Sequence, residues 1–481
     1  MENQWKISPR VGWRLIDNEI VAFSCANQLI VIWNETASYL WKMLNKNADF
    51  DELVNWLMVK YHLKKNKAKQ DITAFLREAV SLDFIRPNSR IINNVSQNNK
   101  DISDGENVLL AIEMKAIEKL IPFAITFETT YACNENCIHC YMERNLPALS
   151  LSEIKRILGE IATEGCLFIS FTGGEFFSRR DMLDIVDYAA SLHFVIDILS
   201  NGTLVNRDIA ETLAKYSVRR AQISLYGVTP EIHDSITRLS GSFQRTLKGI
   251  KHLRDAGIKV EIAFSLMSQN FHERYLVRDL TKSMDCLISP SHIITARNNG
   301  LKDTFSLRLN KRQLKEFLED ESLSGLYAGR KAFKDHQLYF GFSDLLDAAP
   351  CYSGFNSCAI TPSGKVLPCN QLLYEVGDLK EQTFSNIWSN SFQLEYLRSL
   401  TLRNLKKCAN CKILSFCARC PGLAFLEGGD LLGPSPENCR VAEINFSISK
   451  KGGKDYGEKE IHSAGRQDEG RYKIARRGSR S

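Results

Sequence analysis

Residues 129–145 read TTYACNENCIHCYMERN, and the rest of the chain is organised around this stretch. Cys133, Cys137 and Cys140 are spaced C-x3-C-x2-C, directly after an apolar, β-branched run over 124–130. Three thiolates so close together fall one short of the four donors that a structural zinc site takes. They can hold three irons of a [4Fe-4S] cube and leave the fourth open to an outside ligand. A cofactor of that kind does the difficult chemistry, while the protein supplies orientation and electrostatics.

From residue 123 onward, short apolar runs alternate with stretches of 3.6-residue periodicity. Strands are predicted at 124–130, 167–171, 194–198, 221–225, 259–265 and 285–289. Helices are predicted at 150–163, 179–191, 206–216, 242–256 and 271–283. This is the pattern of a parallel sheet covered by helices. Six β/α units fit a partial (β/α)6 barrel, in which chemistry sits on the loops after the strands. The three cysteines follow the first strand. At the same end lie Thr172-Gly173-Gly174-Glu175, Asn201-Gly202 and Ser224, with Arg238 in the loop before the 242–256 helix. Two glycines let backbone approach a ligand closely, and the carboxylate can accept from a cationic amine.

The 481 residues exceed a single ordinary core and suggest two to four domains. Apolar and charged fractions of 44% and 25% are those of a soluble globular protein. Neither a long apolar span nor a signal peptide is read from the sequence, so a cytoplasmic location is expected. Of the net charge of +6, residues 450–481 contribute +5, from ten Lys/Arg and five Asp/Glu. The body is then near neutral, which gives no field suited to nucleic acid. Fourteen cysteines without a secretion signal argue for metal or redox use over disulfides. Cys25, Cys166 and Cys286 are isolated and read as small buried apolar side chains.

Residues 5–33 alternate and turn, with hairpin turns at Asp17-Asn18 and Ala26-Asn27. Asn34 can cap a helix carrying Ala37, Leu40, Trp41 and Leu44, and two further helices and a short strand at Phe84-Ile85 follow. The result is a winged-helix-like unit over 1–86. Its third helix carries Lys67, Lys69, Arg77 and Glu78, thin for contact with phosphates, so an exposed sheet edge that accepts a peptide strand is the better use. Residues 87–122 read as an Asn/Ser/Asp-rich linker and a bridging helix over 108–120 capped by Asn107.

Residues 301–350 form a bridging region with a helix near 310–321 and aromatic turns at 338–342. Beyond it come Cys351, Cys358 and Cys369, then Cys408-x2-Cys411-x5-Cys417-x2-Cys420, and Cys439. Eight thiols make two tetrahedral sets, for which zinc and iron–sulfur clusters both compete on spacing alone. The Gly364-Lys365 pair reads as a turn. The charged, Gly-rich tail over 450–481 is expected to be disordered.

CNENCIHC resembles the signature of the radical S-adenosylmethionine (radical SAM) superfamily. That resemblance implies that Cys133, Cys137 and Cys140 ligate the cluster and that His139 lies by the adenine. It also implies that Gly173, Gly174 and Glu175 meet the methionine amine, Ser224 the ribose and Arg238 the methionine carboxylate. Glu261 and Asn270 are weaker carry-overs. The stretch 224–257, SLYGVTPEIHDSITRLSGSFQRTLKGIKHLRDAG, resembles the peptide-modifying branch in particular. Residues 5–86 resemble PqqD-like domains, which recognise leader peptides. The last cysteines resemble a SPASM domain, over 351–449, with two auxiliary [4Fe-4S] clusters. By position, the nearer would use Cys351, Cys358, Cys369 and Cys420, and the distal Cys408, Cys411, Cys417 and Cys439. Two departures are the x2 spacing of Cys417 and Cys420, and the x10 gap between Cys358 and Cys369.

Together these resemblances imply a maturase of ribosomally made precursor peptides, of the sactipeptide or ranthipeptide type, that forms thioethers by hydrogen abstraction with a 5′-deoxyadenosyl radical. It would use S-adenosylmethionine, three [4Fe-4S] clusters and an external electron donor such as flavodoxin or ferredoxin, with no nucleic-acid or membrane partner. Carbon–carbon cross-linking, epimerisation, a sulfatase-maturase-like activity and an iron–sulfur redox sensor are the alternatives. No catalytic general base is read from the sequence.

Overall fold

The computed structural model describes residues 5–87, 105–143, 147–324 and 344–451. The predicted aromatic turns, most of the linker and nearly all of the charged tail lie outside the described residues.

The chain begins with β1 (Trp5–Ile7), β2 (Val11–Ile16), β3 (Glu19–Ser24) and β4 (Leu29–Trp33). Helices α1 (Glu35–Asn45), α2 (Phe50–Tyr61) and α3 (Lys65–Ser81) follow, then β5 (Ile85–Pro87). β2, β3 and β4 form an antiparallel sheet, and β1 pairs with β5. The β2–β3 turn puts both Asp17 and Asn18 in the left-handed region, at φ 53° and 66°, which short polar side chains tolerate best. The Asn34 side chain caps α1 by accepting from the Ala37 N–H at 2.9 Å.

This small sheet is buried on both faces. Val11, Ile20, Ala22 and Trp33 pack with Trp41, Leu53 and Ile72 of the helices. Ile16, Val21, Phe23 and Ile30 pack on Phe123, Leu167, Phe168 and Val195, with α4 (Gly105–Glu118) closing the side through Ile112 and Ala116. α4 starts two residues before the expected cap, so Asn107 lies inside it. At the contact, the Trp13 N–H donates to the His193 carbonyl at 3.0 Å, and the two rings stack at 5.0 Å. The buried Arg14 guanidinium donates to the carbonyls of Trp13, Leu192 and His193. Gly12 is needed here: a Cβ would meet Val195 Cγ2 at 2.4 Å.

The central sheet runs through β6 (Ala124–Thr130), β7 (Phe168–Gly173), β8 (Val195–Ser200), β9 (Val218–Ser224), β10 (Val260–Ser265) and β11 (Leu287–Ser291). All six are parallel and lie side by side in chain order. The crossovers carry α5 (Leu151–Thr163), α6 (Met182–Ser191), α7 (Arg207–Leu213), α8 (Pro230–Thr237), α9 (Ser242–Asp255) and α10 (Arg274–Ser283). α8 was not expected, although Thr229 caps it and Pro230 opens it. A helix, α11, spans Lys311–Glu319.

The cysteine-rich segment continues the same sheet. Residues Ser357–Ile360 form β12, parallel to β6, and Lys365–Leu367 and Gly377–Asp378 add two antiparallel strands as β13 and β14. Gly364 makes the turn into β13 at φ 90°. Helices Phe384–Asn390, Phe392–Ser399, Pro421–Gly428 and Pro436–Lys451 complete the described chain. Among the described residues no helix is long and apolar enough to cross a membrane.

Candidate active site

The N-terminal ends of β7 and β8 touch the small sheet through Phe168 and Val195, while their C-terminal ends, Gly173 and Ser200, line a cavity. The two sites are thus one strand apart, about 17 Å. The cavity encloses about 290 Å³ and is lined by Cys133, Cys137, Cys140, His139, Gly173, Gly174 and Ser224, all singled out from the sequence.

Its loops are tied together by main-chain bonds. Gly174 and Glu175 donate their N–H groups to the carbonyls of Thr130 and Ala132, at 2.7 and 2.9 Å. A Cβ on Gly173 would come within 2.1 Å of the Thr130 oxygen, and one on Gly174 within 2.4 Å of the Ala132 oxygen. The glycine pair therefore lets β7 close on the strand that leads into the cysteines. The Glu175 side chain is buried, and its carboxylate accepts from the N–H of Phe177, the hydroxyl of Ser200 and the N–H of Asn201, at 2.8–2.9 Å. Its acid strength is lowered by burial, opposed by these bonds. Asn201 in turn donates to Asn134 at 2.9 Å, and Asn134 donates to Thr203 at 2.8 Å.

The cysteine segment is also held from the other side. Asn136 and Ile138 donate to the carbonyls of Thr237 and Ile236 at the end of α8, and Arg297 donates to the Cys140 carbonyl at 2.7 Å. His139 packs edge-on to Tyr226 at 4.8 Å. Burial lowers its pKa to about 4, and its Nδ1 has no hydrogen-bond partner among the described residues. Arg238 is exposed at the left-handed end of α8 and is not part of the cavity wall. Asn201, placed at this end from the sequence, also lines the cavity, as do Gln222, Tyr141, Asn298 and Asn370, which were not assigned a ligand role from sequence. Gln222 is oriented from below: its amide donates to Glu261 at 2.9 Å, and Glu261 pairs with Arg220, itself bonded to Asp197. Asn270, the other weak candidate, instead bonds backbone at Tyr226, Ser265 and Met267.

The remaining cysteines separate into two groups. Cys351, Cys369 and Cys420 line a second, small cavity with Arg419. Burial pushes the Cys369 thiol up to about 11, with Cys351 and Cys420 adding to the rise. Cys417 is pushed up to about 12 by burial, then by Cys439, Cys408 and Cys411, which form the second group. Cys358 joins neither. It lies on β12 in register with Ile125, is 3% exposed, and sits in the main core within electrostatic reach of Cys166. Its strand lies between β6 and β13, and its side chain is not among those lining the cavity of Cys351, Cys369 and Cys420, with which the positional match grouped it.

The donor chemistry fits iron–sulfur clusters. Each thiolate of a cube binds its own iron, so the sulfurs need not converge on one point. Among the described residues no three His, Cys, Asp or Glu side chains do converge on a single ion. Arg419 is buried, donates Nη2 to the carbonyls of Leu431 and Gly433, and among the described residues leaves Nε and Nη1 without an acceptor beside the three thiols. An anionic thiolate cluster suits those spare donors.

Comparison with known proteins agrees with this arrangement. Residues 127–279 match the radical SAM superfamily, 351–421 an iron–sulfur cluster-binding domain named SPASM, and 27–85 coenzyme PQQ synthesis protein D. An AdoMet-dependent heme synthase of Methanosarcina barkeri is 28% identical over 66% of this chain and 95% of its own length. The subtilosin biosynthesis protein AlbA of Bacillus subtilis is 27% identical over 62% of this chain and 67% of its own. Among solved structures, Streptococcus suis SuiB bound to its precursor peptide SuiA superposes with a TM-score of 0.55 at 16% identity, covering 90% of this chain and 99% of that one. AdoMet-bound anSMEcpe gives 0.51 at 14% identity, covering 69% and 97%. These structures share the α/β fold. The chain is a radical SAM/SPASM enzyme with an N-terminal PqqD-like domain.

Proposed function

We propose that this enzyme matures a ribosomally made precursor peptide and joins a cysteine sulfur to a peptide carbon as a thioether. The observation that carries this reading is the set of three thiols, Cys351, Cys369 and Cys420, beside the spare donors of Arg419. An iron–sulfur cube held there would keep one iron free for a peptide thiolate. The proposed auxiliary ligands are these three and the four of Cys408, Cys411, Cys417 and Cys439, with Cys358 left in the core. Asn370 and Gln371, next to Cys369, line the main cavity, so both sites share a wall.

When bound, S-adenosylmethionine and three [4Fe-4S] clusters would supply hydrogen abstraction from a peptide carbon and a route for the surplus electron. The chain's own residues hold and orient them. Cys133, Cys137 and Cys140 would ligate the first cluster, and His139, Gly173, Gly174 and Ser224 would contact S-adenosylmethionine. Glu175 would act through Asn201, and Arg238, being exposed, is left out of the set. The six ordered parallel strands are read as a partial (β/α)6 barrel and the N-terminal unit as a winged-helix-like receptor.

Among the described residues β4 is paired on one side only, by β3. That edge suits a leader segment added as a further strand, with main-chain bonds for affinity. The likeness to AlbA and to peptide-bound SuiB supports a peptide substrate. So does the PqqD match over 27–85. An external donor such as flavodoxin or ferredoxin would supply the first electron.

Anaerobically reconstituted protein, incubated with S-adenosylmethionine, dithionite and its short precursor, tests the reading by mass spectrometry. A thioether predicts loss of two hydrogens and thiols that no longer alkylate. Loss of hydrogens with free thiols, or unchanged mass with deuterium uptake, would mean carbon–carbon bonding or epimerisation instead.

A further inference from the structure

Glu128 is a buried carboxylate behind the cavity wall, and among the described residues its side chain is hydrogen-bonded by two tyrosines and by no cation. It lies on β6 and is 3% exposed. Its Oε2 accepts from the Tyr131 hydroxyl at 2.7 Å and its Oε1 from the Tyr141 hydroxyl at 3.3 Å. Both tyrosines line the cavity. The Tyr141 side chain is also hydrogen-bonded to Asn370, which follows Cys369 of the three-thiol set. Glu128, Tyr141 and Asn370 thus form a chain from β6 to the second cysteine site. Burial raises the carboxyl's hold on a proton, and the two tyrosine donors oppose that only in part.

A free thiol has a pKa near 8.5, so at neutral pH only a small fraction is thiolate. A thiol that enters the cavity and binds as thiolate needs a local proton acceptor. We propose that Glu128 is that acceptor, reached from the cavity through the Tyr141 hydroxyl. The inference rests on the thiolate reading above. In the step, the thiol S–H bond breaks and its proton passes to the Tyr141 oxygen. The Tyr141 proton passes to Glu128, and the sulfur keeps the electron pair. One proton moves and no electron does.

The test uses the full, anaerobically reconstituted chain with N-acetylcysteine amide as the thiol probe. Binding is followed by cluster absorption and EPR, over roughly two pH units either side of the free thiol's pKa. The Glu128 carboxyl is followed by infrared difference spectroscopy. In the wild type, binding should set in well below pH ~8.5, with a protonated-carboxyl band appearing as the probe binds. Glu128→Gln should lack that band and bind roughly tenfold more weakly at pH 7, its midpoint about one unit higher. Tyr141→Phe should show the same shift with the carboxyl still present. An unchanged midpoint in Glu128→Gln at full iron content would overturn the role of Glu128 alone. A probe that perturbs no cluster of the wild type at any pH would overturn the thiolate reading and this role with it. Should Glu128→Gln lose iron, the wild-type band and Tyr141→Phe decide.

Discussion

The Glu175 carboxylate accepts the backbone N–H of Asn201 at 2.8 Å. Through that bond the loop after β7 fixes the loop after β8. Asn201 then passes the constraint to Asn134, one residue past the first cysteine of the signature. Glu175 is therefore a brace between two strand ends, and its burial keeps water from competing for the bonds.

Replacing Glu175 by Ala leaves the donors at Phe177, Ser200 and Asn201 without their acceptor. The expected cost is about 2–4 kcal/mol, seen as a lower Tm together with reduced iron at the first site. Glu175→Gln keeps one acceptor oxygen and should cost about half as much. Equal Tm and iron content in wild type and Glu175→Ala would refute the brace.

Cys358 and Cys369 should behave differently. Cys358→Ala removes a small buried side chain and should cost about 1 kcal/mol, with all bound iron retained. Cys369→Ala should release roughly a third of the iron, as expected for loss of one cluster in three. Iron analysis with Mössbauer spectroscopy checks both. Iron loss in Cys358→Ala would return that residue to the ligand set.

This pair shows what the sequence could and could not reveal. Cys133, Cys137 and Cys140 were legible because their chemistry lies in eight consecutive residues. Cys358 looks in sequence like any other member of a cysteine-rich run. Its fate is decided by the pairing of Ser357–Ile360 with β6, a strand far earlier in the chain. For the same reason Gly173-Gly174 could be found by position, while the partners of Glu175 could not. Arg238 was read as a loop residue before α9. The start signal Thr229-Pro230 in fact opens α8, which Arg238 terminates in a left-handed conformation.

Arg419→Met keeps the bulk of the side chain but removes the cation beside Cys351, Cys369 and Cys420. The nearer auxiliary cluster should become harder to reduce without being lost, since charge near a cluster tunes its potential. A redox titration followed by EPR measures this. An unchanged potential at full occupancy would mean that the spare donors of Arg419 do not face the cluster.

His193 links docking of the N-terminal unit to pH. Its ring stacks on Trp13, and burial, aided by Arg14, lowers its pKa to about 4. The unfolded chain protonates His near 6.5, so between those values the unfolded state binds more protons and stability rises with pH. The contribution is complete above about pH 6.5 and is lost as the pH falls towards 4, on the order of 3 kcal/mol. His193→Gln should flatten that part of the profile relative to wild type. Parallel profiles would show that His193 does not sense the pH.

The central claim is an open-sided iron–sulfur cluster on Cys133, Cys137 and Cys140 that cleaves bound S-adenosylmethionine. Its most direct test is 5′-deoxyadenosine, measured after anaerobic incubation of the reconstituted protein with S-adenosylmethionine and dithionite. Wild-type protein should form it, and the triple Cys→Ala variant should form none while losing roughly a third of its iron. Wild-type protein that yields no more than that variant, or that holds only zinc, would contradict the claim.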